Sequence, residues 1–213
     1  GGVGCYSVSA YDSSPAHESA LSDEACVESA VCAEDDLGDV NGDGNLNILD
    51  VVSLVNIVLE GSDGGPCADA NGDGNLNILD IVSIVNEIVD SRTTDATSAR
   101  LMKSDDVFLL KAEGYVGGVQ ITLSHDGDFN IELTDKAMVA DYRTNGNETT
   151  LIIVSPESEE LFTAQGDYEI VEALVTNSLE FIDAVIVPHD FAISAAYPNP
   201  FNPTTSVELV MPA

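Results

Sequence analysis

Tryptophan is absent from this sequence, and only 6 Phe and 6 Tyr occur among its 213 residues. Sugar sites stack rings on aromatic faces, so the composition weighs against direct carbohydrate binding. Positive charge is scarce too. Six Lys and Arg stand against 38 Asp and Glu, a net charge of −32. Such a chain repels nucleic-acid phosphates and anionic membranes and attracts cations. No run of ~20 apolar residues is present, so no transmembrane helix is expected. A start Met and a signal peptide are lacking. The ends, GGVGCYSVSA and VELVMPA, read as strand interiors, so a piece or mature core of a longer protein is expected. The four cysteines include no Cys-x-x-Cys, and His17 is the one histidine near them, so zinc is the weaker use for them and disulfides the stronger. No Ser or Cys nucleophile motif accompanies His125 and Asp126, which sit beside the turn signal HDGD, and no catalytic residue is expected.

What the chain does have is a repeat. NGDGNLNILD stands at 41–50 and again at 71–80, each copy preceded by an Asp two residues earlier, Asp39 and Asp69. Each twelve-residue loop, DVNGDGNLNILD and DANGDGNLNILD, carries oxygen side chains at positions 1, 3, 5, 9 and 12 and Gly at position 6, Gly44 and Gly74. That is the calcium-loop pattern of an EF-hand. Calcium takes six to eight oxygens at ~2.3–2.6 Å, and a short loop can aim so many inward only by turning sharply at a glycine. The expected metal ligands are Asp39, Asn41, Asp43, Asn45 through its carbonyl, Asn47 through a water, and Asp50. In the second loop they are Asp69, Asn71, Asp73, Asn75, Asn77 and Asp80. Two calcium ions are the expected cofactor, with folding coupled to binding because three carboxylates per loop repel one another without metal.

The segments after the loops, VVSLVNIVLE and IVSIVNEIVD, hold polar residues at matched helical spacing: Ser53, Asn56 and Glu60, then Ser83, Asn86 and Asp90. Each predicts a helix with one polar stripe and the rest of its surface buried. Leu46 and Leu76 are expected to pair the loops. No helical periodicity precedes either loop. Loop plus exiting helix, written twice with 15 of 22 positions identical over 39–60 and 69–90, resembles a dockerin module. The resemblance implies a small calcium-dependent domain that docks through its helices onto a cohesin, a β-sandwich. Loop positions 10 and 11, often hydroxyl residues in that family, are here Ile48, Leu49, Ile78 and Leu79. These four either pack internally or against a neighbouring domain, or form a more apolar partner interface.

Around this module the chain reads as β structure. Residues 4–11 and ALSDEACV form a hairpin that sets Cys5 opposite Cys26, close enough for a disulfide. The stretch resembles the end of a fibronectin type III domain (1–30). The calcium module occupies 31–92, where a Cys32–Cys67 bridge would tie the entering linker to the turn between repeats. SRTTDATSAR, 91–100, is a linker. Residues 100–190 hold VFLLK, GGVQITLSH, FNIELT, TLIIVS, DYEIVEALV and FIDAVIV, divided by turn signals, and predict an antiparallel sandwich. Its YVGGVQITLSHDGDFNIEL stretch resembles a shortened cohesin, with a generic immunoglobulin-like sandwich as the alternative. Asn147 begins a glycosylation sequon. From 191 to 213, the heptad Tyr197, Pro198, Asn199, Pro200, Phe201, Asn202, Pro203 is similar to the opening of a type IX secretion sorting domain. It implies export across the outer membrane of a Gram-negative cell to the cell surface or beyond.

The expected fold class is multi-domain and mainly β, antiparallel sandwiches with a small α calcium-binding module of two loop–helix repeats. The expected function is that of a secreted structural or adhesive protein, not an enzyme. It would assemble with a protein partner or with itself in a calcium-dependent way, without nucleic acid or membrane insertion. Docking between copies would give extracellular filaments or tubes, and docking within one chain a rigid rod. The alternative is the non-catalytic docking and sorting tail of a secreted hydrolase.

Overall fold

The computed structural model describes residues 4–10, 19–23, 25–27, 32–33, 36–89, 94–187, 192–193 and 209–210. The heptad 197–203 lies outside them. Near the start, β1 (Gly4–Tyr6) pairs antiparallel with β2 (Ala25–Val27), with Cys5 opposite Cys26 in register. The side chains of both strands lie outside the described set.

Two helices follow, α1 (Ile48–Glu60) and α2 (Ile78–Ile88). Each starts at the last quarter of its loop for the same local reason. Asn47 and Asn77 are N-caps whose side chains accept from Leu49 N–H and Leu79 N–H. Asp50 and Asp80 reach back to the cap N–H, closing a capping box that satisfies helix-end donors. Gly61, at φ 64°, ends α1. The β-branched cores of both helices override weak helix propensity by packing. Val51, Leu54, Val55, Ile81, Ile84 and Val85 are buried together between them. Cys32 and Cys67 form a disulfide with Cα atoms 5.0 Å apart, 35 residues apart in sequence. It closes a loop long enough to stabilise by about 3–4 kcal/mol through the unfolded chain.

The remainder is a two-sheet sandwich. One sheet has the order β11 (Asp183–Val187), β3 (Ser98–Ser104), β4 (Val107–Ala112), β9 (Glu160–Gln165), β6 (Asn130–Leu133). The other runs β10 (Tyr168–Thr176), β5 (Gly118–His125), β8 (Glu148–Pro156), β7 (Ala137–Asn145). All pairs are antiparallel except β11 on β3. Between the sheets, Val119, Ile121 and Leu123 of β5 meet Leu101, Leu110 and a stacked Phe108–Phe162 pair, centroids 4.9 Å apart. A last pair, β12 (Ala192–Ile193) with β13 (Leu209–Val210), follows.

Three strands run where the sequence reading places none. Residues 98–100, expected in the linker, begin β3. β7 and β9 are the others. β7 is an edge strand with five consecutive exposed residues, so it carries no alternation to read. The helices also depart from the expected pattern. Ser53 and Asn56 turn back to the carbonyls of Leu49 and Val52. Beside them Ile48, Leu49 and Val52 remain 43%, 59% and 40% exposed, so α1 carries an open apolar face as well as a polar stripe. Leu46 and Leu76 both pack on the helix core.

The helical module is not a separate bead. Its core continues into the outer face of the four-stranded sheet, through Ile152 and Val154 of β8, Leu174 of β10 and Val139 of β7. The run LIIV of β8 is buried on both faces, Leu151 and Ile153 inward, Ile152 and Val154 beneath the helices.

Candidate calcium loops and the docked helix

Both loops are organised as nested carboxylate–amide turns. In the first, Asp39 accepts from Gly42 N–H and Asp43 N–H at 2.8 and 3.2 Å through Oδ1, and from Gly44 N–H at 2.8 Å through Oδ2. Asn41 Oδ1 accepts from Asp43 N–H at 2.9 Å, and Asp43 Oδ1 from Asn45 N–H at 2.8 Å. Asp50 closes the ring, accepting from Val40 and Asn41 N–H through Oδ1 and from Asn47 N–H through Oδ2. The second loop repeats the scheme. Asp69 accepts from Asp73 and Gly74 N–H, Asn71 from Asp73 N–H, Asp73 from Asn75 N–H, and Asp80 from Asn71 and Asn77 N–H. Asn45 and Asn75, expected to offer backbone carbonyls, each accept there from the next Asn side chain, at 2.8 and 3.0 Å. Gly44 and Gly74 sit at φ 81° and 84°, the left-handed turn that glycine adopts without strain. All twelve predicted ligands therefore take part in two hydrogen-bonded loop networks.

Do these loops fit a cation? Among the described residues no three His, Cys, Asp or Glu side chains form a ready cage by themselves. The donor sets are mixed, two carboxylates and three amide or carbonyl groups around each closing Asp, which suits a hard ion that accepts neutral oxygens. The closing carboxylates are the decisive observation. Asp50 and Asp80 are both fully buried. Burial above all, opposed by the N–H bonds from Asn77 and Asn71 and helped by the charges of Asp69 and Asp73, pushes the Asp80 carboxyl up from 3.8 to about 6. The backbone N–H of Asn75 holds Asp73 low. A desolvated carboxylate beside two others calls for a positive charge. A bound calcium would supply it, held by the twelve residues named.

This gives a pH prediction. Asp80 holds its proton more tightly folded than unfolded. Between pH 3.8 and about 6 the folded chain therefore carries the extra proton, and stability without calcium falls as pH rises through that window. Full conversion of the shift would be ~3 kcal/mol, but the surrounding loop is open to water, so about 1–2 kcal/mol is expected. In chelator, thermal unfolding of the module, followed upward from the cold, should come at a higher temperature at pH 5 than at pH 7.5. In millimolar calcium the order should reverse, because protons compete with the ion for Asp80.

The four apolar residues at loop positions 10 and 11 divide. Ile48 and Leu49 are exposed, Ile78 is fully buried and Leu79 half-buried. Ile78 and Val82, both 0% exposed, sit on the start of β5. A Cβ at Gly118 would come within 2.6 Å of Ile78 Cγ1 and Cδ1, and one at Gly117 within 2.6 Å of Val82 Cγ1. The two glycines form a notch that admits the helix. Ile78 N–H donates to Gln120 Oε1 at 3.2 Å, and Asn86 Nδ2 donates to the Ser178 carbonyl. On α1 the polar link is Arg143 Nη1 to Glu60 Oε1 at 2.8 Å, with both side chains more than half exposed. The docking notch was not read from the sequence. Its signal was Gly117–Gly118 at the head of a strand pattern, where paired glycines mark a close approach.

His125 and Asp126 serve the sandwich end. His125 is buried, stacks on Phe129 at 4.1 Å and bonds Thr149 Oγ1 at 2.8 Å. Asp126 accepts from Asn147 Nδ2 at 2.7 Å.

Residues 37–98 match the family model of the dockerin type I domain, and dockerin type I domains bind calcium. No curated protein sequence matches the chain. Among solved structures, a non-cellulosomal cohesin from the hyperthermophilic archaeon Archaeoglobus fulgidus is similar at 16% identity over 45% of this chain and 86% of that one, with a TM-score of 0.30. A superposition that loose says nothing of what the sandwich binds. No helix among the described residues is long and apolar enough to cross a membrane.

Proposed function

We propose that this chain is a secreted, calcium-binding structural protein that makes protein–protein contacts through its dockerin-type module. Two ions, one per loop, order the module. The second repeat docks on the chain's own cohesin-like sandwich and makes the two a rigid unit. The first repeat keeps its apolar face open for contact between units, and head-to-tail repetition builds extracellular filaments. The supporting observation is the division of four near-equivalent side chains, Ile78 at 0% exposure against Ile48 at 43% and Leu49 at 59%. The same chemistry that is buried inside the chain is presented outside it. A net charge of −32 opposes self-association, and bound calcium offsets part of it.

The test is sedimentation and negative-stain microscopy of the chain with calcium and with chelator. Polymers should form in calcium only. Ile48→Asp with Leu49→Asp should lower association at least tenfold while the helices remain folded. Monomers under both conditions would assign the open face to a different protein partner. Polymers unaffected by the double substitution would move the contact elsewhere.

A further inference from the structure

We infer that the two calcium loops have unequal tasks: the second, and not the first, controls whether the module is docked on the sandwich. This rests on the reading of the loops as calcium sites. The loops themselves differ at one residue in twelve, Val40 against Ala70. Any difference in task must then come from their surroundings.

Those surroundings differ along one line of residues. In the second repeat, ligand and docking positions interleave through the first turn of α2. Asn77 is the N-cap and an expected ligand. The next residue, Ile78, places its backbone N–H on Gln120 Oε1 at 3.2 Å and its side chain in the Gly118 notch. Asp80, two residues on, closes the loop and bonds Asn77 N–H at 2.9 Å. Val82 then covers Gly117. An ion that pulls Asn77 and Asp80 together orders the turn that presents Ile78 and Val82. Without it, the turn loses its capping geometry and the contact loses its shape.

In the first repeat the same local turn exists, with Asn47 and Asp50 in the same roles. Its counterparts of the two docking side chains stay open. Ile48 and Val52 are 43% and 40% exposed, against 0% for both Ile78 and Val82. Asn56, the counterpart of Asn86, bonds its own helix at Val52 O. The polar link of α1 to the sandwich, Glu60 to Arg143, lies at the far end of the helix. Filling the first loop orders α1 and its open face, and reaches docking only through the shared core.

Coupling between two equilibria is reciprocal. If the second ion favours docking, docking must strengthen the second ion and leave the first nearly unchanged. The experiment therefore approaches from both sides, with the full chain labelled for NMR and titrated with calcium chloride. The amides of Gly44 and Gly74 report filling of each loop, and the Gln120 side-chain amide reports docking. From the docking side, Gly118→Val fills the notch from β5 and changes no residue of either loop, its contact with the second loop being the Ile78 side chain alone. The Gly74 midpoint should rise about tenfold and the Gly44 midpoint by less than threefold. From the metal side, Asp69→Asn should move the Gln120 midpoint about tenfold and Asp39→Asn less than threefold. Equal shifts of Gly44 and Gly74 in the Gly118→Val chain overturn the inference, even where Asp69→Asn fails to fold. If Gly44 and Gly74 do not respond to calcium in the unaltered chain, the calcium reading itself fails, and the inference with it.

Discussion

Chelating calcium should melt residues 37–89 and leave the sandwich folded. Each loop gathers three carboxylates within twelve residues, and two of the six, Asp50 and Asp80, are fully buried. Without the cation their mutual repulsion and desolvation fall on a module with a small core and one disulfide. Ligand linkage adds about 4 kcal/mol per site when free calcium is a thousandfold above Kd. Two such contributions are comparable to the whole stability of a small domain. The sandwich has its own core between the sheets, built around Phe108, Phe162, Ile121 and Leu151, and needs no ion. Calorimetry in calcium should show a calcium-dependent transition for the module and a calcium-independent one for the sandwich. In chelator the first should fall below room temperature. Because Ile152, Val154 and Leu174 lie under the helices, their exposure should raise the fluorescence of an apolar dye several-fold. A single calcium-independent transition would refute the loops as metal sites.

The second large effect belongs to Gly118. A Val there should separate the module from the sandwich without unfolding either. The reason is which atoms a new Cβ would strike. At Gly118 the three nearest are Ile78 Cδ1 and Cγ1 at 2.6 Å and Val82 Cγ2 at 3.1 Å, all from α2. Valine suits the strand itself. Ile78 and Val82 would lose burial of roughly 1.5–3 kcal/mol each, and the Gln120 and Asn86 bonds would go with them. Gly117 is the control. A Cβ there meets the Asn177 carbonyl oxygen at 2.5 Å as well as Val82, so Gly117→Val strains the sandwich's own backbone. Gly118→Val should enlarge the chain in small-angle scattering and open the linker after α2 to protease, with the sandwich melting temperature within a few degrees of the unaltered chain. An unchanged scattering profile would mean that the notch does not hold the helix.

The candidate site is local in sequence. Every expected donor of a loop lies within twelve consecutive residues, so spacing alone nominates Asp39 to Asp50 and Asp69 to Asp80. The Cys32–Cys67 bridge was legible because both cysteines flank elements whose order is local. Strands with regular alternation, such as GVQITLSH, were legible as well. β3, β7 and β9 were not. SARLMKS mixes charge with apolar residues, AMVADYRTN lies at an edge with most of its side chains in water, and ELFTAQ spans only six residues. β3 and β7 owe their strand state to tight hairpins with β4 and β8, and β9 to pairing with β4 and β6 earlier in the chain, so pairing and not side-chain pattern makes them strands.

Residue order alone dictates two repeated loops of calcium-binding pattern, each followed by an apolar helix, and a β-sandwich after them. It could not tell the two repeats apart, because 15 of 22 positions are the same residue. Tertiary structure broke that symmetry. α2 precedes the sandwich directly in the chain and lies across the start of β5, where Gly117 and Gly118 leave room for it, while α1 meets the sandwich at β7 and β8 and leaves Ile48 and Leu49 exposed. Identical side chains thus became a buried contact in one repeat and an open face in the other, because burial depends on what the rest of the chain brings alongside.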